Sequence, residues 1–364
     1  MRKLGEEAIE NIALGAALLG TGGGGDPHLG KLMALQAVKK YGPVKLLDPS
    51  EVDDDMLVVP SAMMGAPSVL VEKIPNGGEF QRCFDAISRY LGKTVAATMP
   101  IEAGGINSMI PLAVAAQMDL PIIDADGMGR AFPELQMVTY HLDGITASPM
   151  VITDEKGNME VLETISNKWA EDLARVATIT MGGSVIINIY SMTGKQVKQS
   201  AVTNILTYSE KLGSIIRKSM QTGCNPIDEL LDVTKGYLLF KGKITDVLRE
   251  TRAGFNFGKA VMRGVEEYKD SAFEMEFQNE NLIGRKDGQV VASVPDLICC
   301  VDLESSIPIT TESLKYGRRV AVLGLPCDPK WRTPKGIETV GPRYFKYDID
   351  YIPIEDRMKG VAAK

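Results

Sequence analysis

Apolar and polar positions along the chain change period from one region to the next. Residues 6–19 (EEAIENIALGAALL) begin polar and become almost continuously apolar, which predicts a helix buried along its second half. A second helix is predicted from Pro27 to about Tyr41, with Asp26 as its N-cap and Pro27 at the first helical position. The glycine-rich segment Gly20–Gly25 separates the two helices.

Short apolar runs alternate with helical patterns from residue 56 to about residue 130. The predicted strands are Met56–Val59, Ser68–Glu72, Thr94–Thr98 and Pro121–Asp124, and the predicted helices are Glu79–Leu91 and Ser108–Met118. The order strand, loop, helix, strand is typical of a parallel sheet. This region therefore predicts a doubly wound α/β layer.

The pattern changes twice more downstream. A hairpin is predicted at 149–163, a helix at Ser166–Ala177 with Trp169 on its apolar side, a strand at Val185–Tyr190, and one long helix at Gln196–Met220. After about residue 236, strand-like runs replace long helices. We predict an α/β protein: a doubly wound α/β domain at 1–165, a connecting region at 166–235 that completes this domain, and a β-rich C-terminal domain at 236–355.

Composition excludes several classes of protein. Of 364 residues, 45% are hydrophobic and 24% charged, which excludes a disordered chain and allows a large core. The net charge of −7 argues against a nucleic-acid partner, which would require a basic patch. No apolar run is long enough for a membrane span, and Glu6, Glu7 and Glu10 argue against a signal peptide. The five cysteines lack paired spacing, so we expect a reduced, cytoplasmic protein.

The two histidines, His28 and His141, are too few for a histidine-rich zinc site. Any metal would be held mainly by carboxylates, so a divalent cation is left open as a cofactor.

The segment Gly20–Pro27 is the first candidate for ligand contact. Gly22, Gly23, Gly24 and Gly25 allow close backbone approach, and Asp26 and His28 follow directly. A helix, not a strand, precedes the glycines, and the Lys-Ser/Thr pair of a P-loop is missing, which argues against a nucleotide site. The alternative interpretation is a tight corner between two helices.

The second candidate is the loop 99–108, between a predicted strand and a predicted helix. Ligands of open α/β sheets bind beyond the carboxyl ends of the strands. Glu102 is here a candidate base, Asn107 can orient a carbonyl group, and Gly104 and Gly105 allow close approach. A solvated loop acid and an ordinary helix cap are the alternative.

The third candidate, 124–134, places two carboxylates at a strand end. Two neighbouring acids can separate their proton affinities, so that one acts as base and the other as acid. Asp124 and Asp126 are therefore catalytic candidates, and Arg130 and Glu134 are candidates for substrate binding. A structural ion-pair network is the alternative.

Several long strings resemble one family, the S-methyl thiohydantoin desulfurase-like proteins. The strings are GTGGGGDP (20–27), GAPSVLVEK (65–73), PIEAGGINSMIP (100–111), DADGMGRAFPELQ (124–136), EFQNENL (276–282), VPDLIC (294–299) and GLPCDPKWRTPKGIETVGP (324–342). The resemblance covers roughly residues 6–355. It implies an N-terminal α/β domain, a β-rich C-terminal domain, and hydrolysis of S-methyl thiohydantoin to hydantoin and methanethiol.

Two functions follow as expectations. The first is a hydrolase of a hydantoin-like cyclic amide in which Glu102, Asp124 and Asp126 assist the attack of water. The second, because the family is associated with hydantoinase/oxoprolinase proteins, is a non-catalytic partner or ligand-binding subunit of such an enzyme. We also expect a small-molecule substrate and a homo-oligomer.

Overall fold

A computed structural model describes residues 1–65, 69, 73, 77–252 and 254–362. The predicted strand Ser68–Glu72 therefore lies, apart from Val69, outside the described residues. The helices are α1 (Glu6–Leu19), α2 (Pro27–Tyr41), α3 (Gly78–Leu91), α4 (Met109–Met118), α5 (Thr139–Leu142), α6 (Asn167–Thr180), α7 (Gly194–Ser200), α8 (Ile205–Thr222), α9 (Ile227–Thr234), α10 (Pro334–Val340) and α11 (Ile354–Ala362).

The N-terminal strands are β1 (Arg2–Leu4), β2 (Val44–Leu47), β3 (Leu57–Val58), β4 (Ser61–Gly65), β5 (Ile122–Ile123), β6 (Ala125–Asp126), β7 (Met150–Thr153), β8 (Met159–Leu162), β9 (Ser184–Asn188), β10 (Met192–Thr193) and β11 (Val202–Thr203). The C-terminal strands are β12 (Tyr237–Arg252), β13 (Phe255–Gly264), β14 (Ala272–Gln278), β15 (Glu280–Lys286), β16 (Gln289–Ser293), β17 (Leu297–Asp302) and β18 (Arg319–Leu325).

Helices α1 and α2 form as their sequences predict. The apolar second half of α1 is buried. In α2, the Asp26 carboxylate accepts the His28 amide and Pro27 stands in the first turn, where its missing N–H costs nothing. The predicted helices at 79–91 and 108–118 also form, as α3 and α4.

The strands of the N-terminal half belong to several small sheets. Parallel pairing, which the order of elements predicts, occurs between β2 and β5 and at the bridges that Ala97 and Thr98 make. The sheet β4-β9-β7-β8 is antiparallel, and the predicted hairpin forms its β7–β8 edge. The α/β class is confirmed.

The C-terminal half carries one seven-stranded sheet in the order β16-β15-β14-β13-β12-β18-β17, with every neighbouring pair antiparallel. Both faces of its β17–β18 edge are buried. Cys299 lies in the core shared with α1 and the N-terminal half, whereas Cys300 lies in the core of the C-terminal half. The predicted β-rich region is therefore confirmed, and its sheet packs directly on the first half.

The prediction of one helix at Gln196–Met220 is wrong. The chain leaves α7 after Ser200, and β11 pairs with β6 before α8 begins. Asn204 turns the backbone with a φ of 63°. The break is stabilised by tertiary hydrogen bonds to Asp124, which no local pattern reports.

Trp169 lies on the apolar side of α6, as predicted, but this side faces solvent rather than the core. The buried face consists of small and polar residues such as Ala170, Ala174 and Thr178. The Trp169 side chain is 51% exposed.

Within the described residues, no helix combines the length and apolar character needed to cross a membrane.

Candidate functional site

The glycine loop between α1 and α2 packs against the loop 99–108. Gly24 and Gly25 have φ angles of 70° and 81°, which favour glycine. The Gly24 carbonyl accepts the Ile106 amide at 2.7 Å. A Cβ atom on Gly24 would lie 2.4 Å from the Cα of Gly104, so the two loops touch backbone to backbone. Together they form one wall of a cleft.

Glu102 lies in this wall and is held by two hydrogen bonds. Its Oε1 accepts the Asn107 side-chain amide at 2.7 Å, and its Oε2 accepts the Phe132 amide at 3.4 Å. Asn107 is itself fixed, because its Oδ1 accepts the Met63 amide at 2.9 Å. Burial raises the pKa of Glu102 to about 7, against the opposing effects of these hydrogen bonds and of the Arg130 charge.

Glu280 faces the same cleft from the C-terminal half. It begins β15, is 3% exposed, and follows Asn279, whose positive φ of 58° turns the chain from β14 into β15. The carboxyl group lies against Gly23, and its Oε2 has no hydrogen-bond partner among the described residues. Burial, and then the charge of Glu102, raise the pKa of Glu280 well above its usual range. Burial therefore favours the protonated form of Glu280.

The cleft between these groups has a cavity volume of about 80 Å³ and opens to solvent. Its lining combines apolar side chains with polar groups, as in most small-molecule sites. The apolar lining is formed mainly by Met63, Met64, Met128, Phe132, Leu135 and Ile187. The polar lining is formed by the glycine loop with Glu102, Asn107, Glu134, Asn279, Glu280 and Glu312.

Arg175 and Glu134 lie at the edge of the cleft. The Arg175 guanidinium pairs with Glu171 and stacks on Phe255, 4.2 Å from the ring centre. Glu134, predicted as a substrate contact, lines the cleft and accepts the Tyr344 hydroxyl at 3.0 Å. Since these groups come from both halves of the chain, the cleft depends on how the halves pack.

Asp124 is not brought into the cleft. Its Oδ1 accepts the amides of Leu206 and Thr207 at 2.8 and 3.1 Å, and its Oδ2 accepts the Thr207 hydroxyl. These bonds satisfy the first amides of α8, as an N-cap does. The contacts favour a structural role, and the catalytic role expected from the sequence is not supported by position.

Asp126 is completely buried and also lies outside the cleft lining. Its Oδ1 accepts the amides of Met128 and Gly129 at 3.0 and 2.7 Å and so shapes the turn after β6. Its Oδ2 has no partner among the described residues. Burial raises the pKa of this carboxyl well above its usual range and so favours its neutral form.

Arg130 is fully buried behind the cleft wall and does not line it. Its guanidinium donates to the Thr21 hydroxyl at 2.8 Å and to the carbonyl oxygens of Pro295 and Asp296 at 2.8 and 2.9 Å. It therefore joins the glycine loop to the C-terminal half rather than facing a ligand.

The remaining predicted contacts surround the cleft without lining it. Asp26 and His28 are exposed, and the Asp26 carboxylate is engaged by the His28 amide at 2.7 Å. Gly22 packs against Asn281 and Thr311, and Gly105 packs against the backbone of Gly25. Gly104 contacts Gly24 and supports the wall from behind.

Sequence reasoning missed Glu280, although the string EFQNENL that contains it belongs to the family resemblance. Its signal is weak, because a glutamate after Asn in a β-hairpin turn is unremarkable without its three-dimensional neighbours. Arg175, on α6, gives no signal beyond an ordinary helical charge.

A metal ion has no evident site within the described residues, where no three His, Cys, Asp or Glu side chains converge as ligands. All five cysteines are free, and only Cys224 is exposed.

Two family models match the chain. One, described as "S-Me-THD-like, N-terminal domain", matches residues 7–164, and the other, "S-Me-THD-like, C-terminal domain", matches residues 165–354. No curated protein sequence matches the chain.

One similar solved structure is the crystal structure of a protein from Chromobacterium violaceum. It has a TM-score of 0.81 at 22% sequence identity, and the match covers 97% of this chain and 100% of that chain. At this identity the likeness extends to the fold alone.

Proposed function

Because the chain belongs to the S-Me-THD-like family, we propose that it is a hydrolase that cleaves the C–S bond of S-methyl thiohydantoin or a closely related cyclic thioimidate. One observation carries the proposal. Two buried glutamates, Glu102 from the first half and Glu280 from the second, face one cleft beside the glycine loop. Acid–base hydrolysis can use two such groups, one carboxylate as the general base and one carboxylic acid as the general acid.

Glu102 serves as the base. The substrate carbon bonded to sulfur is electrophilic, and water attacks it while the Glu102 carboxylate removes one water proton. A pKa of about 7 leaves Glu102 substantially ionised at neutral pH yet basic enough to accept that proton. Its hydrogen bond to Asn107 fixes the direction of the accepting oxygen.

Glu280 serves as the acid. As the new C–O bond forms, the protonated Glu280 donates its proton to the ring nitrogen of the C=N bond, giving a neutral tetrahedral intermediate. The C–S bond then breaks as Glu102 returns its proton to sulfur, and methanethiol leaves. The hydroxyl proton passes to Glu280 as the C=O bond of hydantoin forms, so both glutamates regain their starting states.

Backbone amides contribute the remaining polar contacts. Those of Gly24 and Gly25 donate to no acceptor among the described residues, and both residues line the cleft. They can therefore hold a carbonyl oxygen of the ring and the negative charge that develops on it. The apolar lining, which includes Met63 and Met64, accommodates the S-methyl group.

The direct test is release of methanethiol, followed with a thiol reagent, together with chromatographic detection of hydantoin. Glu102→Gln should reduce kcat by about 10²–10⁴-fold, the range for a positioned general base. Glu79→Gln is the matched control, since Glu79 is also buried but lies away from the cleft. Absence of turnover by the wild-type protein, or equal loss in both variants, would contradict the proposal.

A second function, as a partner subunit of a hydantoinase/oxoprolinase-type enzyme, is supported by the exposed face of α6. Trp169, Leu173, Val176 and Ile179 are each more than two-fifths exposed along this one helix. Exposed apolar clusters of this kind are typical of interaction sites. Co-purification with such an enzyme, lost in Trp169→Asp, is the expected result, whereas unchanged co-purification would exclude this face.

A further inference from the structure

Arg130 is the only Lys or Arg among the described residues that is fully buried. Its guanidinium donates to five oxygens, all of them uncharged: the Thr21 hydroxyl and the carbonyl groups of Ala131, Asn281, Pro295 and Asp296. A buried charge without a counter-charge is strongly unfavourable, so a negative charge is required nearby.

The carboxylate of Asp296 acts on Arg130 less strongly than Glu280 does, and it has other partners. It pairs with Arg332 at 3.0 Å and accepts hydrogen bonds from Tyr351 and from the amides of Cys327 and Ile354. Asp126 is engaged by the amides of its own turn. The other carboxyl groups that interact electrostatically with Arg130 are those of Glu102 and Glu280.

Three contacts connect Arg130 to these two acids. It bonds Thr21 at the start of the glycine loop that covers Glu280, and it reaches the carbonyl oxygen of Asn281, the next residue along β15, at 3.4 Å. Its guanidinium also stacks on Phe132, 4.5 Å from the ring centre. The Phe132 amide in turn donates to Glu102.

We propose that Arg130 is a positioning residue for Glu102 and Glu280, and that its one buried positive charge is balanced by one negative charge shared between these two carboxyl groups. This inference rests on the proposed function for the roles of the two glutamates. One cation facing two acids leaves one carboxylate and one carboxylic acid, which is the combination of base and acid that the hydrolysis needs.

Five titratable groups interact electrostatically with Arg130. They are Glu102 in the loop 99–108, Glu280 on β15, Asp296 before β17, Cys299 on β17 and Cys327 after β18. The two thiols are buried, and burial raises the pKa of each to about 12, so they are neutral at physiological pH. The charge of Arg130 lowers the pKa of both Glu102 and Glu280 and so opposes the effect of their burial.

The test is ¹³C NMR of protein labelled at the glutamate carboxyl carbon, with the two resonances assigned from Glu102→Gln and Glu280→Gln. In the wild type, Glu102 should titrate near pH 7, and the pKa of Glu280 should lie well above its ordinary range. Arg130→Gln should move the Glu102 titration up by about one pH unit or more, the usual effect of losing an adjacent opposite charge. Arg130→Lys, which keeps the charge, should leave it nearly unchanged.

A second measurement uses Glu102→Gln, which leaves Arg130 intact and does not depend on the folding of Arg130→Gln. Glu280 then becomes the sole counter-charge, and its titration should move down in pH. An unchanged Glu280 titration in Glu102→Gln, or an unchanged Glu102 titration in a folded Arg130→Gln, would overturn the inference.

These outcomes are separable from failure of the proposed function, because the NMR titration needs no turnover. Shifted titrations in a protein that does not cleave S-methyl thiohydantoin would leave the Arg130 inference standing and remove the reaction. Turnover in a protein with unshifted titrations would support the proposed reaction and overturn the Arg130 inference. With turnover, the low-pH limb of kcat/KM should move upward in Arg130→Gln and stay in place in Arg130→Lys.

Discussion

The carboxyl group of Glu280 lies directly against the backbone of Gly23, from the other half of the chain. A Cβ atom at Gly23 would stand 1.9 Å from Glu280 Oε1 and 2.5 Å from its Cδ. The absence of a side chain at Gly23 is therefore what admits the acid to the cleft.

Gly23→Ala should displace Glu280 without straining the backbone, since Gly23 is not among the residues with positive φ. If Glu280 is the acid, kcat should fall by roughly tenfold or more, at the low end of what a positioned acid contributes. Gly5→Ala is the control, because no atom lies within 4 Å of the position that a Cβ would take there and its φ is −97°. The measurement is the steady-state kcat of both variants. Equal kcat values for Gly23→Ala and Gly5→Ala would show that Glu280 has no part in the mechanism.

The rate should depend on pH through Glu102. A base works in its ionised form, so kcat/KM should rise with pH and level off above the Glu102 pKa of about 7. A profile measured from pH 5 to 9 checks this. A rate that falls over the range from pH 5 to 7 would mean that Glu102 acts as an acid instead.

Stability should move in the opposite direction with pH. The folded-state pKa of Glu102, about 7, is above its ordinary value of 4.5, so the folded protein binds more protons than the unfolded chain between these values. This contribution is fully present below pH 4.5 and is lost as pH rises through 7. Glu102→Gln, which cannot ionise, should therefore gain stability relative to wild type between pH 5 and pH 8, as measured by urea unfolding at both values. A constant difference would show that Glu102 has an ordinary pKa in the folded state.

Asp126→Asn should leave turnover largely intact. The amide oxygen can still accept the amides of Met128 and Gly129, and a neutral side chain is what the burial of Asp126 favours. The catalytic role expected from the sequence makes the opposite prediction, loss of turnover in a folded protein. Kinetics and a thermal melt of this variant separate the two.

Asp124→Ala should destabilise the protein by about 1–2 kcal/mol, the upper range for loss of a helix cap. The reason is that the Leu206 and Thr207 amides lose their acceptor inside the protein. Asp124→Asn keeps one acceptor oxygen and should lose less. Denaturant midpoints of the two variants provide the measurement, and equal stability of Asp124→Ala and wild type would show that the cap is unimportant.

Local sequence was sufficient where the relevant interactions are local. Neighbouring residues specify the N-cap at Asp26, Pro27 in the first turn and the apolar second half of α1, and these helices form as predicted. The same holds for the β7–β8 hairpin and the β-rich C-terminal region. Glu102 and Asn107 were recognisable because a loop after a strand is where α/β proteins bind ligands.

Tertiary structure decided what each acid can do. Asp124, Asp126 and Glu102 look alike in sequence, but a side chain's role depends on which amides reach it and whether water does. Asp124 caps a helix that begins about eighty residues later, Asp126 is enclosed by its own turn, and Glu102 alone of the three lines the cleft. Its partner Glu280 is contributed by the sheet of the other half, because packing of the two halves, rather than any motif, brings it to Gly23.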